Sequence, residues 1–150
     1  VLKNMGPEIR LQALFRDRFV GVLAPTHPLA QGGQITPERY AACEHVIVSR
    51  HGMVRGPVDA ALAELGLSRK IAAVVPGFTA ALAVARDSQL VALVPASCLH
   101  HGMREGIVAF ELPVSTPEIT VSQMWHPRQE LAPGHGWLRQ QVLSVCRQVA

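Results

Sequence analysis

The sequence predicts an α/β fold with mostly parallel strands, and three observations support this. First, the segment Ile71–Cys98 contains two short apolar runs separated by a Pro-Gly break and a stretch of good helix formers. Such runs are typical of strands covered on both faces, and two parallel strands need a crossover, which is helical here. Second, strand and helix signals follow one another along the rest of the chain. Third, 49% of the 150 residues are hydrophobic and no apolar run approaches the about 20 residues that span a bilayer.

Strand and helix signals precede this central segment. Alternating apolar residues predict a strand over Ile9–Phe15, and a second strand follows at Phe19–Ala24, so that the two form either a hairpin or two sheet strands in succession. Thr36-Pro37 is typical of a helix start, and this helix is expected to end near Cys43. The β-branched run in Glu44–Ser49 predicts the next strand.

The remaining elements are predicted by turn residues and apolar spacing. A helix opens at Gly56-Pro57 and ends at Gly66. After the central segment, strands are expected at Ile107–Leu112 and Glu118–His126. A final helix begins after Pro133-Gly134, because six apolar residues there fall close to one stripe: Trp137, Leu138, Val142, Val145, Cys146 and Val149.

Charge and cysteine usage restrict the class of protein. The net charge is +3, but the arginines are scattered and aromatic residues are sparse, so the sequence lacks a nucleic-acid footprint. Three scattered cysteines in apolar surroundings suit buried thiols in a reducing cytoplasm, and no membrane segment is expected. Val1–Arg10 has neither a signal peptide nor an initiating Met, so we expect the chain to be a piece of a longer protein.

No catalytic or metal-binding constellation is recognisable. The chain has no nucleophile elbow, phosphate loop or dinucleotide fingerprint. His100-His101, and His126 with His135, suit surface loops better than metal sites. Ser49 and His51 have a spacing that a nucleophile and base can take, but a catalytic pair normally converges from different elements and needs a third group to orient the base. We therefore expect no enzyme activity, no catalytic residue, no metal and no cofactor.

Strand exits supply the candidate ligand contacts. A helix that starts directly after a strand points free N–H groups and its positive dipole end into the crevice beside the sheet. The turn Pro76, Gly77, Phe78 and Thr79 is such a start, although an ordinary βα turn has the same sequence signals. Ser49, Arg50 and His51 form a second polar strand exit, which either lines a ligand crevice or is simply a polar loop.

In order and spacing, several motifs together resemble the effector-binding domain of LysR-type transcriptional regulators over nearly the whole chain. These motifs are LFRDRFVGVLAPTHPLA (14–30), ITPERYAA (35–42), HVIVS (45–49), VDAALAELGL (58–67), VPGFTAALAVA (75–85) and LVALVP (90–95). The tail WHPRQELAPGHGWLR (125–139) is similar to the subset of the family that senses aromatic acids. The sequence departs from the commoner family pattern at Asp87-Ser88-Gln89, where many members have a glycine-rich step.

The resemblance implies a two-lobed fold like that of type II periplasmic binding proteins, with mixed, mostly parallel sheets flanked by helices. The first lobe is expected to be incomplete, with residues 1–43 and 116–150 as its remnant, and residues 44–115 are expected to form lobe two. The winged helix-turn-helix DNA-binding domain of the family is expected to be absent from this chain, because no segment offers two helices with basic residues suited to the major groove.

By the same resemblance, the chain is the effector-sensing part of a cytoplasmic regulator that binds a small anionic or aromatic ligand between its lobes. The implied effector contacts are Ser49, Arg50, His51, Pro76, Gly77, Phe78, Thr79 and Ser97. Arg50 would pair with a carboxylate, the N–H groups near Thr79 would bind its other oxygen, and Phe78 would stack on a ring. The full-length protein would be a homo-oligomer, a dimer or tetramer, which binds DNA through its other domain. An enzyme or a periplasmic solute-binding fragment on the same scaffold is the alternative.

Overall fold

The computed structural model describes residues 8–49, 52, 54–99 and 103–149. In chain order the helices and strands are β1 (Arg10–Asp17), β2 (Phe19–Leu23), α1 (Pro28–Gln31), α2 (Pro37–Ala41), β3 (Glu44–Val48), α3 (Pro57–Glu64), β4 (Lys70–Val75), α4 (Phe78–Arg86), β5 (Val91–Pro95), β6 (Val108–Phe110), β7 (Ile119–Trp125) and α5 (Pro133–Val149). The chain divides into two compact units, a larger one at Arg18–Pro117 and a smaller one that combines Val1–Asp17 with Glu118–Ala150.

The larger unit is built on a mixed sheet. Among its described residues five strands pair in the order β4-β3-β5-β2-β6. β3 is parallel to both of its neighbours, whereas β2 is antiparallel to β5 and to β6. Four of the five strands therefore run in one direction, which confirms the predicted mixed, mostly parallel sheet. The predicted strand–helix–strand segment is present as β4, α4 and β5, but β3 lies between its two strands.

Two apolar clusters cover the two faces of this sheet. Side chains alternate between the faces along a strand, so the neighbours Val22 and Leu23 belong to different clusters. On the Val22 face α4 buries Ala81, Leu82 and Ala85. The opposite cluster receives three further buried side chains from α2 and α3: Tyr40, Val58 and Leu62. Both faces are thus covered by helices, as the short apolar strands predicted.

The helix boundaries follow local chemistry that the sequence displays. The Thr36 hydroxyl accepts a hydrogen bond from the Arg39 N–H at the start of α2, with Pro37 at the first helical position. At the start of α3 the Gly56 N–H donates to Asp59 Oδ2 at 2.7 Å. Gly66 has a φ of 70°, which favours glycine, and stops α3. The predicted starts and stops of these helices are confirmed.

The boundary of the larger unit differs from the expected lobe boundary at residue 44. Residues 18–43 belong to the larger unit because β2 lies between β5 and β6, where Val20 and Val22 are buried. Tyr40 of α2 is fully buried in the same unit. The second boundary, after Pro117, lies close to the expected one at 115. The expected hairpin of β1 with β2 does not form, because the two strands follow each other along the chain but belong to different sheets and different units.

The described residues of the smaller unit include a strand pair and the last helix. β1 and β7 are antiparallel, with a register irregularity between Ala13 and Phe15. α5 begins at Pro133, two residues before the predicted start after Pro133-Gly134. Its predicted apolar stripe is only partly covered, because Trp137 is 63% exposed, Leu138 52% and Val145 58%. No helix among the described residues is long and apolar enough to cross a bilayer.

Candidate functional site

The carboxyl ends of β3 and β4 lie next to each other. Val48 pairs with Val75 in parallel register, and the Ser49 N–H donates a 2.9 Å hydrogen bond to the Val75 carbonyl. Ser49 is half-buried, and Pro76, the next residue of the neighbouring strand, is exposed. The two predicted strand exits are therefore neighbours in the sheet.

The carboxyl end of β5 lies on the other side of β3. His45 pairs with Val91 in parallel register, so the two strands end at the same edge of the sheet. A short 3-10 turn, Ala96–Leu99, follows β5 and holds the half-buried Ser97. Three strand exits, from β4, β3 and β5, are thus side by side, with Ser49 in the middle. We call this the carboxyl edge.

The helix α4 begins at the carboxyl edge without a side-chain cap. Gly77 is its N-cap and contributes no side-chain cap. The first N–H groups of an α-helix have no acceptor within the helix, and they carry its partial positive charge. Thr79 is exposed there, whereas the half-buried Phe78 packs against the apolar cluster under α4. The start of α4 can therefore bind an anion.

The antiparallel strands bring two charged residues to the same edge. Phe19 pairs with Pro95, and the Ala96 N–H donates a 2.9 Å hydrogen bond to the Arg18 carbonyl. The end of β6 lies beside the start of β2, where Arg18 forms an ion pair with Glu111. Sequence reasoning missed both residues, because it did not assign β2 as the antiparallel neighbour of β5. The available signal was a polar residue, Arg18, directly before a buried strand. This signal indicates a place at the carboxyl edge only once the strand order is known.

Arg50 and His51, two of the expected effector contacts, lie outside the described residues. The other expected contacts are all at the carboxyl edge: Ser49, Pro76, Gly77, Phe78, Thr79 and Ser97. Their role in binding an effector stays a prediction. His100 and His101 also lie outside the described residues, and His126 is instead placed 3.4 Å from Glu8 in the smaller unit.

A second group of polar side chains is buried under α2 and α3. The Arg69 side chain is 1% exposed, and its Nε and Nη2 donate to the two carboxylate oxygens of Asp59 at 2.8 and 2.9 Å. Arg69 Nη1 also approaches the Tyr40 hydroxyl at 3.4 Å. Asp59 in turn caps α3 through the Gly56 N–H. This cluster fixes α3 against α2 and the start of β4, so its role is structural.

Burial shifts the ionisation of this cluster. Burial raises the pKa of Tyr40 to about 12 and lowers the pKa of His45 to about 4. For Asp59, burial favours a higher pKa, but the hydrogen bonds from Arg69 and from the Gly56 N–H outweigh it and lower the pKa. At neutral pH the cluster therefore holds a neutral imidazole and phenol beside a paired aspartate and arginine.

A well-formed groove among the described residues lies away from the carboxyl edge. It has a volume of about 620 Å³ and lies along α3 and the start of β4, between Val54, Ala60 and Ile71. The Arg69 and Asp59 side chains that face it neutralise each other. Within the described ranges, no three His, Cys, Asp or Glu side chains converge as metal ligands would. The carboxyl edge is therefore the better candidate for an anionic ligand.

Comparisons with known proteins identify relatives over nearly the whole chain. The profile of the LysR substrate binding domain matches residues 2–147. The HTH-type transcriptional activator NagR of Ralstonia sp is 30% identical over 133 residues, which cover 88% of this chain and 44% of NagR. The chain spans about half the length of the curated relatives it matches.

Solved structures share the fold. The regulatory domain of MexT, a transcriptional activator in Pseudomonas aeruginosa, is 26% identical with a TM-score of 0.75, over 95% of this chain and 68% of that one. The effector binding domain of QuiR in complex with shikimate is 19% identical with a TM-score of 0.72, over 99% of this chain and 69% of that one, and supports the fold alone. The family profile, the named regulators and the shared fold agree, so this chain belongs to the LysR-type transcriptional regulators as a member of their effector-binding domain family.

Proposed function

We propose that the chain senses a small anionic or aromatic effector and thereby controls DNA binding by the full-length regulator. The observation that carries this proposal is the carboxyl edge, where the exits of β4, β3 and β5 are side by side and α4 begins. Open α/β sheets bind ligands at such edges, and helix starts favour anions. The ligand is bound and released unchanged, so the domain acts as a switch rather than as an enzyme.

The chemistry of this edge favours a carboxylate. The first N–H groups of α4 bind one carboxylate oxygen, and the Thr79 and Ser49 hydroxyls are available for further hydrogen bonds. Arg50, His51 and Ser97 extend the polar contacts, while Pro76, Gly77 and the accessible part of Phe78 contact the ring of the effector. QuiR, a protein of the same fold, binds shikimate, which is a small hydroxylated ring acid. Shikimate and simple aromatic acids are therefore the first ligands to test.

The larger unit corresponds, in this proposal, to lobe two of the family's domain, and the smaller unit to part of lobe one. The full-length protein is a cytoplasmic homo-oligomer, a dimer or tetramer, and contacts DNA through a separate winged helix. Effector binding shifts that oligomer between two arrangements with different DNA affinity. The relatives' names as HTH-type transcriptional regulators support this assignment.

A ligand screen tests the proposal. Shikimate, benzoate, salicylate and the neutral benzamide are added to the chain, and thermal unfolding and calorimetric titration are recorded. A bound acid at about 100 times its Kd stabilises the domain by about 2.7 kcal/mol, which raises the Tm by roughly 5–10 °C. Recovery of the unchanged acid after incubation distinguishes sensing from turnover. Equal shifts with benzamide and benzoate would contradict the preference for a carboxylate, and consumption of the acid would contradict a sensing role.

Two substitutions locate the binding at the edge. Thr79→Val and Arg50→Ala are expected to weaken acid binding by about fivefold and about tenfold, because each removes a hydrogen-bond donor to the carboxylate. The matched controls are Thr120→Val, on an exposed position of β7, and Arg86→Ala, at the other end of α4. Unchanged affinity for the acid in both edge variants would show that the effector binds elsewhere.

A further inference from the structure

Arg18 and Glu111 form an ion pair at the carboxyl edge, and no sequence motif predicted it. Arg18 Nε donates to Glu111 Oε2 at 3.3 Å, and Arg18 Nη2 bonds Glu111 Oε1. The guanidinium therefore grips both oxygens of one carboxylate, which is the geometry by which arginine recognises carboxylates. At the carboxyl edge, Arg18 therefore already binds a carboxylate of the protein itself, that of Glu111.

The strand register places this pair close to the expected effector contacts. Val46 pairs with Ala92, so continuing this register sets Ser49 level with Pro95, and Pro95 pairs with Phe19. Two strand spacings, about 10 Å, therefore separate the β3 and β2 backbones at this level. Arg18 directly precedes Phe19, and a small ring acid together with a long arginine side chain can bridge this distance.

The pair also lies on the sheet face that carries α4. Continuing the register of β2 with β6 sets Val20 opposite Glu111. Val20 is buried in the apolar cluster under α4, and side chains directly opposite each other in adjacent strands point to the same face. Glu111 and the uncapped start of α4 thus share both an edge and a face of the sheet.

The ion pair is weak enough to be exchanged. The Arg18 and Glu111 side chains are 58% and 69% exposed. Pairs this accessible to water shift an equilibrium by about fivefold at most. A ligand whose carboxylate binds Arg18 and whose ring gains further contacts along the carboxyl edge therefore has enough advantage to replace Glu111 on the guanidinium.

We propose that Arg18 binds the carboxylate of the effector and that Glu111 is an internal competitor that occupies Arg18 until the effector displaces it. This inference rests on the proposed function and adds a specificity-determining pair to it. Glu111 excludes ligands without a negative charge, since a neutral group cannot replace a carboxylate on Arg18. The effector class is thereby narrowed to small acids.

The same sheet offers a matched control at its opposite edge. Lys70 forms an ion pair with Glu44 where β3 and β4 begin, and these side chains are 73% and 48% exposed. Neutralising Glu44 changes the net charge of the unit as much as neutralising Glu111 does. It leaves the carboxyl edge untouched, so any general effect of charge on acid binding appears in both variants.

The test is calorimetric titration of benzoate, shikimate and benzamide into the wild-type chain and the variants Glu111→Gln, Arg18→Gln and Glu44→Gln, each checked for folding by circular dichroism. We expect Glu111→Gln to tighten binding of at least one acid by about two- to fivefold, because the competitor is gone. Arg18→Gln weakens it by about tenfold, because a charge-assisted fork is lost. The affinity of Glu44→Gln for the acids is expected to equal that of the wild type. The affinity for benzamide is expected to be the same in all variants.

Each other outcome has a defined meaning. Acid binding with equal affinity in wild type, Arg18→Gln and Glu111→Gln overturns the role of the pair but leaves the effector-domain assignment standing. Equal gains in Glu111→Gln and Glu44→Gln also overturn it, because they reveal a general charge effect. If neither acid binds wild type or Glu111→Gln, the inference is overturned together with the proposed preference for acids.

Discussion

At the scale of single residues, the buried pair of Asp59 and Arg69 has the largest predicted effect on stability. The Arg69 side chain is 1% exposed, and Asp59 binds both it and the Gly56 N–H. Removing one partner of such a pair leaves a buried charge without compensation, which costs about 3–5 kcal/mol. Sequence reasoning assigned neither residue a role, because the pairing depends on how α3 packs against the start of β4.

Replacing Asp59 by Asn therefore lowers the free energy of unfolding by about 3 kcal/mol or more. Urea unfolding followed by circular dichroism measures the difference. Glu118→Gln is the control, because Glu118 forms a 3.0 Å ion pair with Arg16 on the surface. The Arg16 side chain is 79% exposed and the Glu118 side chain 64%, and such a pair contributes about 1 kcal/mol at most. Similar losses in the two variants would show that the Asp59 pair is not a major contributor.

His45 makes stability depend on pH. Its Nε2 lies 2.9 Å from the Tyr40 carbonyl, so it carries the proton, and the buried Nδ1 has no hydrogen-bond partner among the described residues. Burial lowers the pKa of His45 to about 4, below the value of 6.5 in an unfolded chain. The unfolded state therefore binds more protons between these values, and stability falls as the pH drops through this range.

The wild-type domain is accordingly expected to lose about 3 kcal/mol of stability between pH 6.5 and pH 4 through this group. Burial also lowers the pKa of His27, which adds to the loss in the same direction. His45→Gln keeps a donor for the Tyr40 carbonyl but cannot titrate. Urea unfolding at several pH values should give a shallower decline for His45→Gln, and parallel curves for the two proteins would contradict this account.

At the scale of elements, most helices and strands were predictable because their signals are local. The Thr36-Pro37 start, the Gly66 stop and the apolar runs of β4 and β5 depend on neighbouring residues only. Pairing was not predictable, because it is set by contacts distant in sequence. The insertion of β3 between β4 and β5, and the separation of β1 from β2, appear only once the strands are assembled.

The start of α4 permits a test at this scale. Gly77 has extended backbone angles, and a Cβ built on it meets nothing within 4 Å. Gly77→Asp is expected to raise the free energy of unfolding by about 0.3–1 kcal/mol, because the carboxylate caps α4 and complements its dipole. The same carboxylate occupies the N–H groups proposed for the effector, so acid binding should weaken.

Thermal unfolding and benzoate titration of Gly77→Asp measure the two effects. Gly77→Ala serves as the control, since it adds the Cβ without a carboxylate and should neither stabilise the domain nor block the acid. A Gly77→Asp variant that gains stability yet binds benzoate as the wild type does would show that the start of α4 is not part of the ligand site.

At the scale of the whole molecule, the family assignment was available from the order of its motifs, and the profile match over residues 2–147 agrees with it. The residues of the candidate site could be predicted from the sequence only in part. Strand exits such as Ser49 and Thr79 follow from local sequence, since parallel strands end at one edge. Arg18 and Glu111 precede and follow antiparallel strands, so their place at this edge required the complete strand order.

The central claim is that the carboxyl edge of the larger unit binds a small acid. Titration of the ¹⁵N-labelled chain with benzoate and with shikimate, followed by amide chemical shifts, tests it most directly. The account predicts saturable shifts concentrated at Ser49, Phe78, Thr79 and Ala96, with the Arg18 side-chain Nε–H signal moving at the same ligand concentration. Shifts confined to the groove along α3, at Val54, Ala60 and Ala63, or no saturable shift with either acid, would contradict it.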